Sequence, residues 1–182
     1  KIIADLFKVL FDKYSHSKKM PQFIMTLPLE KQQELIKGLW RGDGCVRDKD
    51  FCLVTSSRNL AYQVRDLLLR SGIICSLQKR DKEKLNQYKH KIEGRDVSFT
   101  KDKYHICVGG PSLEKMSVIL GIQHPLLKTR KNIFRHAWIR DNFAILPIRK
   151  IEKIPYEGEV LSIAVENKNS YVAKNFIVHN CD

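Results

Sequence analysis

Acidic residues are scarce in this chain: 20 Asp and Glu stand against 33 Lys and Arg in 182 residues, a formal net charge of +13. Long hydrophobic runs are absent as well. No stretch approaches the roughly 20 consecutive apolar residues that a bilayer-spanning helix needs, so no membrane partner is expected. The first residues, Lys1-Ile2-Ile3-Ala4-Asp5, show neither an initiator Met nor a signal-peptide pattern. They read as mid-helix, and further sequence upstream is expected. The five cysteines (45, 52, 75, 107 and 181) are odd in number and include no Cys-x-x-Cys pair. This argues against a zinc site and fits a reducing, cytoplasmic setting. Cys45, Cys52, Cys75 and Cys107 have apolar or strand-like neighbours and are expected as small core residues.

The apolar content of 43% is enough for one or two modest cores. The charge is unevenly placed. Residues 146–182 hold five basic and five acidic side chains, so the whole positive excess lies in 1–145. A basic segment joined to a neutral one suggests two modules, the first meeting a polyanion such as DNA.

Apolar positions Ile3, Leu6, Phe7, Leu10, Phe11 and Tyr14 predict a helix over 2–14. Pro28 opens a second over 29–41, with Leu29, Leu35, Ile36, Leu39 and Trp40 as its stripe; Gly42-Asp43-Gly44 stops it. Strand-like runs at 45–48 and 51–55 follow, then a Ser-capped helix over 58–71 ended by Gly72, then a strand over 73–80. The charged residues 81–103 read as a long hairpin connection. A strand at 104–108, a helix over 112–120 ended by Gly121 and another helix over 129–142 complete this part. From 29 to Gly121 the order is α-β-β-α-β-β-α, an α+β unit. Beyond Ile145, Pro147, Pro155 and Gly158 punctuate short runs at 148–154, 160–165, 171–173 and 176–178, predicting an all-β module. Asp5–Ile24 loosely echoes Leu113–Ile133, so residues 1–28 read as the tail of an upstream copy of the same unit.

The segment Ile36-Lys37-Gly38-Leu39-Trp40-Arg41-Gly42-Asp43-Gly44 has its own physical logic. Gly38 and Gly42, four residues apart, let a second, like helix approach closely. Asp43 then stands at the C-terminal tip. Two such tips side by side would bring two carboxylates together, an arrangement suited to Mg²⁺ at a scissile phosphate. The segment resembles the LAGLIDADG motif of homing endonucleases, in the form common in inteins. The resemblance implies a DNA-cutting repeat over 29–145, with Asp43 catalytic, Asp43 and Gly44 at the metal, Mg²⁺ as cofactor and double-stranded DNA as substrate. It also implies that the sheet formed by 45–55, 73–80 and 104–108 lies in the major groove, with Arg47, Arg58, Lys79 and Arg80 as DNA-binding candidates. Lys19, in Lys19-x-Pro21, resembles the block that supplies a catalytic lysine to the upstream repeat, and Lys128 is its candidate counterpart here. A lysine near the phosphate stabilises developing charge or polarises a water. Two departures stand out. Arg41 occupies a position often acidic in the family, and only one Asp-Gly motif is present. The second carboxylate is expected from a missing first repeat or from a homodimer; the helical start at residue 2 favours the missing repeat.

Residues 156–181 resemble the two C-terminal splicing blocks of inteins, ending in Val178-His179-Asn180-Cys181. The order suits the chemistry. The Asn180 amide can cyclise onto its own carbonyl and break the bond to Cys181, with His179 protonating the leaving amine or polarising the carbonyl. The Cys181 thiolate would accept the upstream segment as a thioester, which an S-to-N shift converts into a peptide bond. The resemblance thus implies a Hint-type splicing segment at 146–180 and host (C-extein) sequence at 181–182. Its partners would be the missing N-terminal intein half and the host protein. Asn169 stands where relatives often carry a second His, and it cannot carry a proton. The reading is an intein fragment joining a homing endonuclease to C-terminal splicing chemistry. Its rivals are a catalytically decayed DNA-binding module and the C-terminal half of a split intein that acts only in trans.

Overall fold

The computed structural model describes residues 2–88, 90–92, 94–128, 137–141, 143–148, 150–161, 163–166, 169–173 and 175–179, excepting the side chains of His90, Ile92, Leu126, Lys128 and Trp138. The chain divides into two compact units, Lys1–Pro147 and Ile148–Asp182.

The first unit is a mixed α+β domain. Helix α1 (Ile2–Phe11) is followed by a loop and a 3-10 turn (Gln22–Thr26). Then come α2 (Leu29–Asp43), β1 (Gly44–Val46), β2 (Asp50–Thr55), α3 (Arg58–Arg70) and β3 (Ser76–Arg80). A short helix α4 (Lys82–Asn86) and a hairpin of β4 (His90–Ile92) and β5 (Arg95–Val97) intervene before β6 (Lys103–Gly109) and α5 (Leu113–Leu120). The sheet has strand order β1-β2-β6-β3, with every neighbouring pair antiparallel.

Alternation along these strands sorts the side chains onto two faces. Phe51 and Leu53 of β2, and Ile106 and Val108 of β6, are buried together with Ile36 and Trp40 of α2. Val64, Leu67 and Leu68 of α3, and Leu113 and Met116 of α5, complete that core. Three helices therefore cover one face, and the opposite face carries the intervening residues. Burying these side chains, at about 25 cal/mol per Å² of apolar surface, is what drives the helices onto the sheet.

The helix ends follow their capping residues. The Ser57 hydroxyl accepts from the Leu60 N–H at 3.2 Å and caps α3. At the other end Gly72 takes φ +67, and the N–H groups of Gly72 and Ile73 donate to Leu69 and Leu68 carbonyls, both at 2.8 Å. That is a Schellman ending, in which glycine removes the Cβ penalty of the left-handed turn.

Several expectations are corrected. The first helix stops at Phe11, not Tyr14, because Asp12 takes φ +70. The connection 81–103 contains a helix and its own small hairpin, and Asn86 clamps Phe99 with two hydrogen bonds of 2.8 and 2.7 Å. The helix expected over 129–142 lies outside the described residues at 129–136. Beyond that, the chain forms a hairpin of β7 (Trp138–Arg140) and β8 (Phe143–Ile145). Trp138, Ile139, Phe143 and Ile145 are β-formers, and short apolar runs do not distinguish the two periods.

In the second unit the expected strands at 148–154 and 160–165 are absent among the described residues. Ile148, Ile151, Ile154, Val160 and Leu161 are exposed. A strand needs a partner for its N–H and C=O groups, and among the described residues only the last two runs find one. Strand β9 (Ser170–Ala173) pairs antiparallel with β10 (Phe176–His179). The cysteine expectation is revised for Cys45, which is exposed; Cys52 and Cys107 are buried, on the sheet face opposite the helices, and Cys75 packs against the core.

Candidate functional site

Helix α2 carries its one acidic C-terminal residue, Asp43, into solvent. Ile36 and Trp40 bury the inner side of the helix, which turns Gly38, Arg41, Gly42 and Asp43 outward. A carboxylate at a helix C-terminus faces the negative end of the helix dipole. It also makes no hydrogen bond or ion pair among the described residues. A cation would relieve both deficits. Apart from the adjoining residues and the backbone of α2 itself, no described atom lies within 4 Å of a Cβ built at Gly38 or Gly42, so this side of α2 is open among the described residues.

Gly44 sets the exit from the helix. Its N–H caps the Trp40 carbonyl, and a Cβ there would stand 2.5 Å from Trp40 Cδ1 and 2.6 Å from the Trp40 oxygen. Glycine is required by close approach and not by backbone angle. Gly44→Ala is expected to lower stability by about 1–3 kcal/mol through overpacking and to move Asp43. A shift of the urea midpoint at constant slope measures the first effect.

Immediately after Gly44 the chain enters the sheet. Its uncovered face carries Cys45, Cys52, Val54, Ser76, Gln78, Arg80, Lys103, His105 and Cys107, as the register requires. Arg47 reaches over this face. Its guanidinium donates to the Asp50 carboxylate at 2.7 and 2.8 Å and to Cys107 Sγ at 3.1 Å. Arg80 stands directly opposite Lys103. Like charges so placed repel, and a polyanion would relieve the repulsion. His105 lies among these charges. Burial, then the nearby Arg80 and Arg47, hold its pKa below the usual imidazole value, so the ring is neutral at pH 7. Its Nδ1 is buried without a hydrogen-bond partner among the described residues.

Arg47 and Arg80 thus share one face. The other two DNA-binding candidates do not join them. Lys79 lies on the same face of β3 as the core-facing Leu77, and Asp81 and Asp102 hold it at 2.7 and 3.0 Å. Arg58 opens α3, with its guanidinium 5.6 Å from the Tyr62 ring centroid.

Residues 30–106 match the LAGLIDADG-like domain family. This stretch is therefore a LAGLIDADG-like domain, and it includes α2, the whole of β1 to β3, and β6 as far as Ile106. The full chain is 30% identical to part of an uncharacterized protein of Methanocaldococcus jannaschii, covering 22% of that protein. It is 30% identical over 88% of its length to part of an ATP-dependent DNA helicase of Thermococcus kodakarensis, covering 14% of it. A DNA polymerase of Thermococcus hydrothermalis matches 94% of the chain at 27% identity, over 10% of the polymerase. The chain thus spans between about a tenth and a fifth of the curated relatives it matches.

Lys19 precedes the matched stretch. It is exposed on a segment pinned to α3: Ser57 donates to the Lys18 carbonyl, and Gln63 makes two hydrogen bonds of 2.8 Å with the Met20 backbone. No hydrogen bond or ion pair joins Lys19 to Asp43 among the described residues. Lys128 closes the 3-10 turn Pro125–Lys128, and its side chain lies outside the described residues. His179 ends β10 opposite Ser170, with Asn169 just before it at φ +45. Asn180 and Cys181 lie outside the described residues.

Sequence reasoning missed Lys103, His105 and Gln78 on the open face of the LAGLIDADG-like domain. The alternation of Tyr104, Ile106 and Val108 with Lys103, His105 and Cys107 carried the signal, once the inward residues of one strand were known.

Proposed function

We propose that the chain is part of an intein in which a Mg²⁺-dependent, site-specific double-strand DNA endonuclease is joined to C-terminal splicing chemistry. The observation that carries this reading is Asp43, exposed at the tip of α2 where the chain enters a sheet face bearing Arg47, Arg80 and Lys103. The relatives that bear the names of a helicase and a DNA polymerase are far longer than this chain, as an element inserted into host proteins would require.

The donor set fits half of a metal centre. The Asp43 carboxylate and the Gly44 carbonyl are hard oxygen ligands suited to Mg²⁺. Among the described residues no three His, Cys, Asp or Glu side chains gather as ligands. A second carboxylate would come from a like helix seated on the open Gly38 and Gly42 side of α2, supplied by another repeat or another chain. When bound, the ion would neutralise charge on the scissile phosphate. Arg47, Arg80 and Lys103 hold flanking phosphates, and Lys19 and Lys128 are kept as the lysines that steady charge at the reacting phosphate.

The test is cleavage of a plasmid carrying the host gene without the insertion, by the full-length parent in Mg²⁺. A linear product that chelator abolishes is expected. Tight binding without cutting would replace the enzyme reading with a decayed binding module. Arg80→Gln in the same protein is expected to weaken binding several-fold and to lower the slope of log K against log salt by about 1; anisotropy titrations across salt measure it.

The splicing part rests on a separate observation. The β9–β10 pairing carries the chain in an ordered strand up to His179, one residue before Asn180. This reading extends the Hint-type assignment to 146–180. An uninterrupted reading frame upstream with an N-terminal splicing block would eliminate the split-intein rival.

A further inference from the structure

The open face of the sheet holds a row of sulfur that the endonuclease reading does not use. Cys45 on β1 is opposite Cys52 on β2, and Cys52 is opposite Cys107 on β6. The Sγ atoms of Cys52 and Cys107 are 3.4 Å apart, and Arg47 donates to Cys107 Sγ at 3.1 Å. Asp50 fixes that guanidinium through Nε and the same Nη2 that donates to Cys107.

We propose that Cys52 and Cys107 form a peroxide-sensitive dithiol that closes to a cross-strand disulfide and reopens with thiol reductant. Three features support this. Directly opposed residues of antiparallel strands have Cα atoms roughly 4.5–5.5 Å apart, within the roughly 4.4–6.8 Å that a disulfide spans. The Cys52 side chain turns toward Cys107 and not toward exposed Cys45. The two sulfurs also have unequal roles: the hydrogen bond from Cys52, followed by the Arg47 charge, favours the thiolate on Cys107, and the Cys52 thiol is pushed up. Cys107 also keeps more surface, 8% exposed against 1% for Cys52. Cys75 does not compete, because burial pushes its thiol up to about 12.

The chemistry balances with hydrogen peroxide as oxidant. The Cys107 thiolate attacks one peroxide oxygen; an S–O bond forms, the O–O bond breaks, and the leaving hydroxide takes the Cys52 proton to become water. The Cys52 thiolate then attacks the sulfenic sulfur of Cys107. The S–S bond forms, the S–O bond breaks, and the second hydroxide takes a proton from solvent. Two thiols lose two electrons and the peroxide becomes two waters.

Trypsin places each of these cysteines in its own peptide: 42–47 for Cys45, 50–58 for Cys52, 71–79 for Cys75 and 104–115 for Cys107. The 182-residue chain is treated with hydrogen peroxide, alkylated, digested and weighed. A 50–58 to 104–115 crosslink, two hydrogens lighter than the separate peptides and lost with dithiothreitol, is expected. A 42–47 to 50–58 crosslink, or overoxidised Cys107 with no crosslink, overturns the proposal. Arg47→Met is expected to slow closure several-fold at neutral pH by raising the thiol pKa, and an unchanged rate overturns the activating role of Arg47. No DNA enters these measurements, so their outcome is independent of the endonuclease reading.

Discussion

Replacing Asp43 with Asn in the full-length parent is expected to reduce plasmid cleavage on the order of a thousand-fold, the scale of losing several kcal/mol of metal-borne charge stabilisation. Binding of the same DNA should change little, because Arg47, Arg80 and Lys103 remain in place. Thermal stability should stay level or rise slightly, since an exposed carboxylate at the negative end of α2 is removed. That combination separates a catalytic carboxylate from a structural one. A structural Asp would take stability down along with activity. If Asp43→Asn cuts at the parent rate, Asp43 has no part in cleavage, whatever the sheet binds.

The second large effect is expected at the other end of the chain. Asn180→Ala in the parent should stop release at the Asn180–Cys181 bond, because alanine has no amide nitrogen to attack its own carbonyl. Precursor carrying the downstream host segment then accumulates on a denaturing gel. His179→Ala keeps the nucleophile and removes its acid, so the same bond should break roughly 10²- to 10⁴-fold more slowly. A single-residue contrast of this kind distinguishes splicing chemistry from simple chain instability. His179 closes β10 opposite Ser170, so the Ala variant should keep the hairpin. Normal release from Asn180→Ala would remove the splicing half of the proposal and leave the endonuclease half untouched.

The two variants test different units of the chain, Lys1–Pro147 and Ile148–Asp182.

Much of this was legible in one dimension. Helix α2, its apolar stripe and the Asp43 tip follow from residues within a few positions of one another, as do a serine cap on α3, the Gly72 and Gly121 endings and the strand runs that became β9 and β10. The positive excess of residues 1–145 pointed to a polyanion without any fold. Local sterics, capping and charge act over short sequence separations, so the order of residues was sufficient for them.

What needed the tertiary structure was everything decided by strand register. Lys79 and Arg80 are neighbours in sequence, yet pairing with β6 aligns Lys79 with Tyr104 and sends it to Asp81 and Asp102, while Arg80 joins the open face opposite Lys103. Cys52 and Cys107 are 55 positions apart and meet at 3.4 Å because β2 and β6 pair. The helix expected over 129–142 by spacing gives way, from Trp138 on, to a hairpin through pairing. A strand's period of two assigns sides only after its partner is chosen, and that partner is chosen by contacts distant in the chain.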